Sequence, residues 1–155
     1  MAQATKTVLA VSDELAGAVE RAASAIVAVH AAYRWPSTGV IWSEGVVVTA
    51  AHTVRREEGI EIALADGSRA AADLAGLDAG TDLAVLKVGA ARSAALGKTE
   101  VDALKVGQLA IAVARVSEDG VNASLGVIGG LGGAWRTWRG GRVEHLIRVA
   151  ITLYP

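Results

Sequence analysis

The residues best placed to do chemistry are His52 and Asp82. His52 ends the apolar run Gly45-Val46-Val47-Val48-Thr49-Ala50-Ala51-His52, and thirty residues later Thr81-Asp82-Leu83-Ala84-Val85-Leu86 opens another run on an aspartate. A histidine at a strand end stands at the rim of a core, half-shielded and half-wet, where an imidazole can serve as a base near neutral pH. Taken singly, each residue has a plainer reading. His52 is then a hydrogen-bonded rim histidine and Asp82 a turn residue ahead of a strand. Taken together they are complementary. A neutral imidazole that offers one nitrogen to a nucleophile needs an acceptor for its other N–H, and a buried carboxylate holds that tautomer and stabilises the imidazolium that forms. The run Leu83-Ala84-Val85-Leu86 is expected to anchor the carboxylate to the interior.

The elements that must position this pair are strands. Ser12 followed by Asp13 and Glu14 predicts a helix start, and Leu15, Val19, Ala22, Ala23 and Ile26 recur at helical spacing, so a helix is expected over about 13 to 23. From Ala25 the period shifts towards two. Six β runs are expected at Ile26–Ala32, Gly39–Trp42, Val46–Ala50, Ile60–Ala65, Arg69–Leu77 and Leu83–Val88. Ser43-Glu44-Gly45 and Asp66-Gly67 supply hairpin turns between them. Short strands so joined argue for a closed antiparallel unit ending near Val88. Residues 89–105 read as a linker. Three further strands follow, at Leu109–Arg115, Asn122–Ile128 and Glu144–Ile151, with a long flexible loop over Gly129–Arg142. The expected division is therefore an N-terminal arm and helix (1–24), a first barrel (25–88), a linker (89–105) and an incomplete second barrel (106–155).

Composition narrows the classes of function. The 155 residues are 52% hydrophobic with a formal net charge of −1, which describes a folding chain with no global pull towards nucleic acid or anionic lipid. There is no cysteine, so disulfides, thiol nucleophiles and Cys-ligated zinc are excluded. His30, His52 and His145 show neither i,i+4 pairing nor a His-Glu-x-x-His pattern, so no metal and no cofactor are expected. No run is apolar for long enough to span a membrane. Val8-Leu9-Ala10-Val11 is too short for a signal-peptide core. The chain as written is expected to be cytoplasmic, and periplasmic or in the cell envelope if a leader is missing.

The two motifs carry a family resemblance. Ser37-Thr38-Gly39-Val40-Ile41-Trp42 through Thr49-Ala50-Ala51-His52 resembles the first barrel of trypsin-like serine proteases, in particular the HtrA-type bacterial branch. In that family a Gly-Val-Ile strand and a Val-Thr-x-Ala-His strand end precede the catalytic histidine, and a segment like Thr81-Asp82-Leu83-Ala84-Val85-Leu86-Lys87 carries the catalytic aspartate. The resemblance extends over roughly Leu15 to Pro155. It implies an all-β, chymotrypsin-like double β-barrel, with the first barrel complete, the second partial, and a short N-terminal helix. It further implies a serine endopeptidase in which His52 is the general base and Asp82 its orienter, acting on polypeptide substrate in a homo-oligomer.

One part of the family pattern has no counterpart. Members carry a Gly-x-Ser-Gly-Gly turn a few residues beyond a segment resembling Arg148-Val149-Ala150-Ile151-Thr152-Leu153-Tyr154-Pro155, and residues 1–155 contain no such turn. Ser93, Ser117 and Ser124 lack that context. Without nucleophile, oxyanion hole and much of the cleft, the 155 residues alone are expected to show no peptidase activity. A truncated protease, a pseudoprotease acting as a binding or regulatory module, and a fragment without independent function all remain open. The family resemblance implies that the Trp135–Arg142 loop, with two indoles and three arginines, serves activation or oligomer contacts, and nucleic acid and membrane are not expected partners.

Overall fold

The computed structural model describes residues 2–32, 34–89, 96–117 and 120–152. Its strands follow the alternation of the sequence. The first six are β1 (Ile26–His30), β2 (Ser37–Ser43), β3 (Val46–Ala50), β4 (Ile60–Ala63), β5 (Arg69–Asp78) and β6 (Leu83–Val88). They close into an antiparallel barrel in the order β1-β2-β3-β6-β5-β4. The Asp66-Gly67 turn joins β4 to β5, and the Asp66 carboxylate caps it by accepting from the Ser68 N–H at 2.9 Å and the Ser68 hydroxyl at 2.6 Å.

The barrel interior is filled by side chains from its own strands. Val27, Val29, Val47, Ile60, Ile62, Leu86 and Val88 are fully buried and meet in one cluster with Ile41 and Ala72. A barrel this small has no room for a side chain at every inward position. Gly39 of β2 points inward between its neighbours, where a Cβ would stand 2.7 Å from Val29 Cγ2 and 2.8 Å from Val47 Cγ1. The glycine in this strand is thus a packing requirement.

Beyond the barrel lie β7 (Leu109–Ser117) and β8 (Gly120–Gly132), then β9 (Trp135–Arg136), β10 (Arg142–Val143) and β11 (Leu146–Ala150). Strands β11, β8 and β7 form a three-stranded antiparallel sheet, while β9 and β10 pair as a separate hairpin. β7 lies against β1 and β2, which is why β1 is buried along both faces. The segment between the two sheets is tied to the barrel by Lys98, whose ammonium sits 3.9 Å from the centre of the Trp42 ring. On the three-stranded sheet Leu109, Leu125, Ile147 and Val149 are exposed. The architecture is mostly β, with one N-terminal helix, and is consistent with a chymotrypsin-like fold.

Two expectations are corrected. The helix α1 runs from Ala2 to Ala23, and Ser12 lies in its middle. Residues 2–11 contain neither glycine nor proline, so nothing upstream stops the helix, and continued backbone bonding outweighs the N-cap preference of Ser12. Its second half packs outside the barrel against β7 and β1, while Val8, Leu9 and Val11 in its first half are exposed. The segment Gly129–Arg142 is not one flexible loop. β8 continues through Gly132, and Trp135–Val143 folds into the β9–β10 hairpin. Strands of two residues fall below what alternation can detect.

Candidate active site

Strand pairing closes the thirty-residue gap between His52 and Asp82. β3 and β6 are neighbours in the barrel, and Ala50 at the end of β3 pairs with Leu83 at the start of β6. The next residues therefore leave the sheet side by side. On one strand the chain enters a single 3₁₀ turn over Ala51–Thr53, and the Thr53 hydroxyl closes it by donating to the Ala50 carbonyl at 2.7 Å. On the other it is the Ala79–Asp82 turn, which ends with Asp82 at a φ of +60°, the only positive φ outside glycine among the described residues. Aspartate tolerates this left-handed conformation better than most residues.

Three contacts then lock the two turns together. The Ala51 N–H donates to the Asp82 carbonyl at 3.0 Å. The His52 N–H donates to Asp82 Oδ1 at 2.9 Å, and His52 Nδ1 lies 2.6 Å from Asp82 Oδ2. The His52 ring and then the His52 main-chain N–H hold the Asp82 carboxyl below the usual carboxylate range. They outweigh its partial burial, with smaller contributions from the charges of His52 and Arg139. An ionised carboxylate only accepts, so the ring nitrogen facing it carries the proton. In the neutral ring that leaves Nε2 as the lone-pair nitrogen, directed away from Asp82.

The pair is more exposed than the sequence implied. The side chains are 60% exposed for His52 and 43% for Asp82, so the expectation of a carboxylate held in the interior is corrected. Leu83, at the head of the apolar run, is itself exposed, and alternate residues Ala84 and Leu86 face the core instead. Asp82 is fixed by its turn and its hydrogen bonds.

The pair opens onto a cleft of about 400 Å³ whose other wall comes from the β9–β10 hairpin. Trp135, Thr137, Trp138, Arg139 and Val143 face Ala79, Gly80 and Thr81 across it. The hairpin is docked. Thr137 donates its hydroxyl to the Gly80 carbonyl at 2.7 Å and accepts from the Gly141 N–H at 3.0 Å. Gly141 lies against Gly80 so closely that a Cβ on Gly141 would meet the Gly80 carbonyl and stand 2.8 Å from the Thr81 nitrogen. The two glycines are what let these turns touch. Trp138 projects from the hairpin, 94% exposed.

Of the other residues singled out from the sequence, His30 lies in β1 and His145 just before β11, both apart from the cleft. Among the described residues no group of three metal-ligating side chains comes together. Ser124 lies in β8, Ser117 ends β7, and Ser93 falls outside the described residues, as do Leu153, Tyr154 and Pro155. Among the described residues no serine is hydrogen-bonded to His52. Sequence reasoning does not reach Thr137, Arg139 or the Gly80–Gly141 contact. The glycine pair Gly140-Gly141 was the available signal, since a close approach of two backbones needs residues without Cβ.

The chain is similar to known proteins in sequence and in fold. A model of the trypsin-like peptidase domain matches residues 37–155. The chain is 38% identical over 96 residues to the probable periplasmic serine endoprotease DegP-like of Chlamydia trachomatis, covering 61% of this chain and 19% of that protein. It therefore spans about a fifth of that relative's length. Among solved structures, the HtrA-type protease AlgW with tripeptide matches with a TM-score of 0.67 and 32% identity, over 76% of this chain and 40% of that one. Deg5 matches with a TM-score of 0.76 over 92% of this chain and 76% of its own, and at 21% identity that likeness concerns the fold. No helix among the described residues is long and apolar enough to cross a membrane.

Proposed function

The chain belongs to the trypsin-like peptidase family, and on that basis we propose that it carries the base-and-orienter half of a serine endopeptidase of the HtrA type. The 2.6 Å contact from His52 Nδ1 to an ionised Asp82 is the observation that carries this reading. Asp82 fixes the tautomer. His52 Nε2 then takes the proton from a serine hydroxyl as that oxygen attacks a peptide carbonyl, and returns it to the leaving amine. Asp82 stabilises the imidazolium between these steps without accepting the proton itself. The serine and the N–H groups for the developing oxyanion come from a Gly-x-Ser-Gly-Gly segment outside these residues, and polypeptide is the substrate. By themselves residues 1–155 are inactive, since the base has no nucleophile to activate. The relative named periplasmic favours that compartment over the cytoplasm, and the family resemblance favours a homo-oligomer.

A casein assay tests the reading on two polypeptides. Residues 1–155 alone are expected to give no turnover. The same residues continued by a Gly-x-Ser-Gly-Gly segment and the rest of a second barrel are expected to cleave casein. His52→Ala abolishes that activity, and Asp82→Asn lowers kcat by about 10⁴-fold by leaving the imidazole in the wrong tautomer. Turnover that survives His52→Ala in the continued chain refutes the assignment. Persistent inactivity of a folded continued chain favours the non-catalytic, binding-module alternative.

A further inference from the structure

Arg115 is the one charged residue among the described residues that is buried, 5% exposed in the middle of the protein. Among the described residues no carboxylate is paired with its guanidinium. Nε donates to the Ile26 carbonyl at 2.9 Å and Nη2 to the Ala23 carbonyl at 3.3 Å, at the end of α1, where unpaired helix carbonyls favour a cation. The main chain of the same residue is held by one hydroxyl of the barrel. The Arg115 N–H donates to Thr38 Oγ1 at 3.0 Å, and Thr38 Oγ1 lies 3.3 Å from the Arg115 carbonyl to which it donates. Thr38 thus does for β2 and β7 what a strand-pairing rung would do.

From Thr38 the contacts continue to the histidine. The Thr49 hydroxyl, itself buried, donates to the Thr38 carbonyl at 2.8 Å. Ser37 Oγ lies 3.5 Å from Thr49 Oγ1 and 3.0 Å from Thr53 Oγ1. The Thr53 hydroxyl closes the 3₁₀ turn on the Ala50 carbonyl. His52 sits between Ala51, tied to Asp82, and Thr53, tied to this chain. Thr49 is buried and Ser37, Thr38 and Thr53 are half-buried, so these hydroxyls have few alternative partners, and loss of one weakens its neighbours' bonding and shifts the backbone they hold.

We propose that Arg115 and the hydroxyls of Thr38, Thr49, Ser37 and Thr53 act as one positioning unit for His52, linking the seating of β7 on the barrel to the turn that presents the imidazole to Asp82. With the Thr49 and Thr53 protons on the Thr38 and Ala50 carbonyls, Ser37 can donate to only one of the two threonines, and the 3.0 Å contact to Thr53 wins over the 3.5 Å contact to Thr49, so the link from Thr38 to Ser37 runs through the β2 main chain that joins them. The proposal rests on His52 serving as the general base, and it extends that reading to a strand of the other sheet. None of the five residues touches Asp82 or lines the cleft, so they act only through the placement of the His52 turn.

The test uses residues 1–155 labelled with ¹⁵N-histidine and with ¹³C in the aspartate carboxyls. The Nδ1–H resonance of His52 is identified by its loss in Asp82→Asn, and the Asp82 carboxyl is titrated in parallel. Thr53→Val and Arg115→Met are expected to weaken or abolish that resonance and to move the Asp82 titration up towards the ordinary carboxylate range. Thr53→Ser, which keeps the hydroxyl, is expected to restore both. Ile62→Val, a core change away from the chain of contacts, is expected to lower thermal stability and leave both readouts as they are. Should Arg115→Met not fold, Thr53→Val decides alone. Folded Thr53→Val protein with an unchanged resonance and titration overturns the positioning role. If Asp82→Asn removes no histidine Nδ1–H resonance, the His52–Asp82 pairing is overturned first, and the proposal with it.

Discussion

Replacing Gly39 by alanine tests whether the barrel that carries His52 is packed as described. A Cβ at that position would lie 2.7 Å from Val29 Cγ2, 2.8 Å from Val47 Cγ1 and 3.1 Å from Val27 Cγ2. Carbon atoms in favourable contact stand about 3.5–4.0 Å apart, so at least two methyl groups must retreat by most of an ångström. All three valines are fully buried. Overpacking of this kind costs about 1–3 kcal/mol, against about 0.4–1 kcal/mol gained because alanine restricts the unfolded chain. At mid-range the net loss is about 1.3 kcal/mol, or about 3–5 °C in Tm for a domain of this size. Gly76→Ala is the matched control. Gly76 also lies in a strand and has no positive φ, and a Cβ there would meet no atom within 4 Å, so only the entropic gain applies. Urea and thermal unfolding of the three proteins should rank Gly76→Ala at or above the parent and Gly39→Ala clearly below. Because Gly39 pairs with Thr49, three residues before His52, Gly39→Ala should also perturb amide resonances of the His52 turn. A Gly39→Ala protein as stable as the parent, or a Gly76→Ala protein that is the more damaged, would show that the interior is not filled in this way.

Two further outcomes follow from the site. Gly141→Ala puts a methyl group against the Gly80 backbone, which cannot yield as a side chain can, so the β9–β10 hairpin should lift and lose the Thr137–Gly80 hydrogen bond. Limited tryptic cleavage after Arg139 should then accelerate several-fold as the hairpin opens more readily, and an unchanged rate would mean that the glycine contact does not hold it down. Acid should weaken the fold through Asp66, Asp78 and Asp82, whose carboxyls lie below the usual range. Bonds from Ser68 lower the first, bonds from Thr81 and Gly80 the second, and those from His52 the third. A depressed native pKa means that the unfolded chain binds more protons, so this stabilisation is present above the ordinary aspartate value of about 3.9 and is lost as pH falls through the native values. Urea midpoints should be flat from pH 7 to 5 and fall below about pH 4, less steeply in high salt because the groups are exposed. A triple Asp→Asn variant that retains the whole acid-dependent loss would assign it to other carboxylates.

What can be read along the chain is whatever local chemistry decides. Val46–Ala50 and Leu83–Val88 alternate or run apolar with β-favouring residues, and both strands form with those limits. Asp66-Gly67 marks its hairpin because one residue caps the turn and the other tolerates its backbone. The helix start differs for the opposite reason. Ser12 offers a locally good cap, but a cap is only used where the helix cannot continue, and residues 2–11 let it continue. The β9–β10 hairpin is hidden from sequence reasoning because its strands are two residues long and its order comes from contact with the Gly80 turn.

The histidine and aspartate show the same division at closer range. Their residue types and strand-end positions are visible in the sequence, while their juxtaposition depends on β3 pairing with β6, a non-local choice made by barrel closure. Exposure does not follow from the apolar run after Asp82, because alternation sends Leu83 outward and only Ala84, Leu86 and Val88 fully inward. Arg115 is the sharper case. A charged residue near the end of a strand reads as solvated, and only the three-dimensional meeting of α1, β1 and β2 supplies the carbonyls and hydroxyl that make its burial tolerable. Local sequence names the groups that could exchange a proton, and the long-range contacts determine whether the imidazole is held where it can do so.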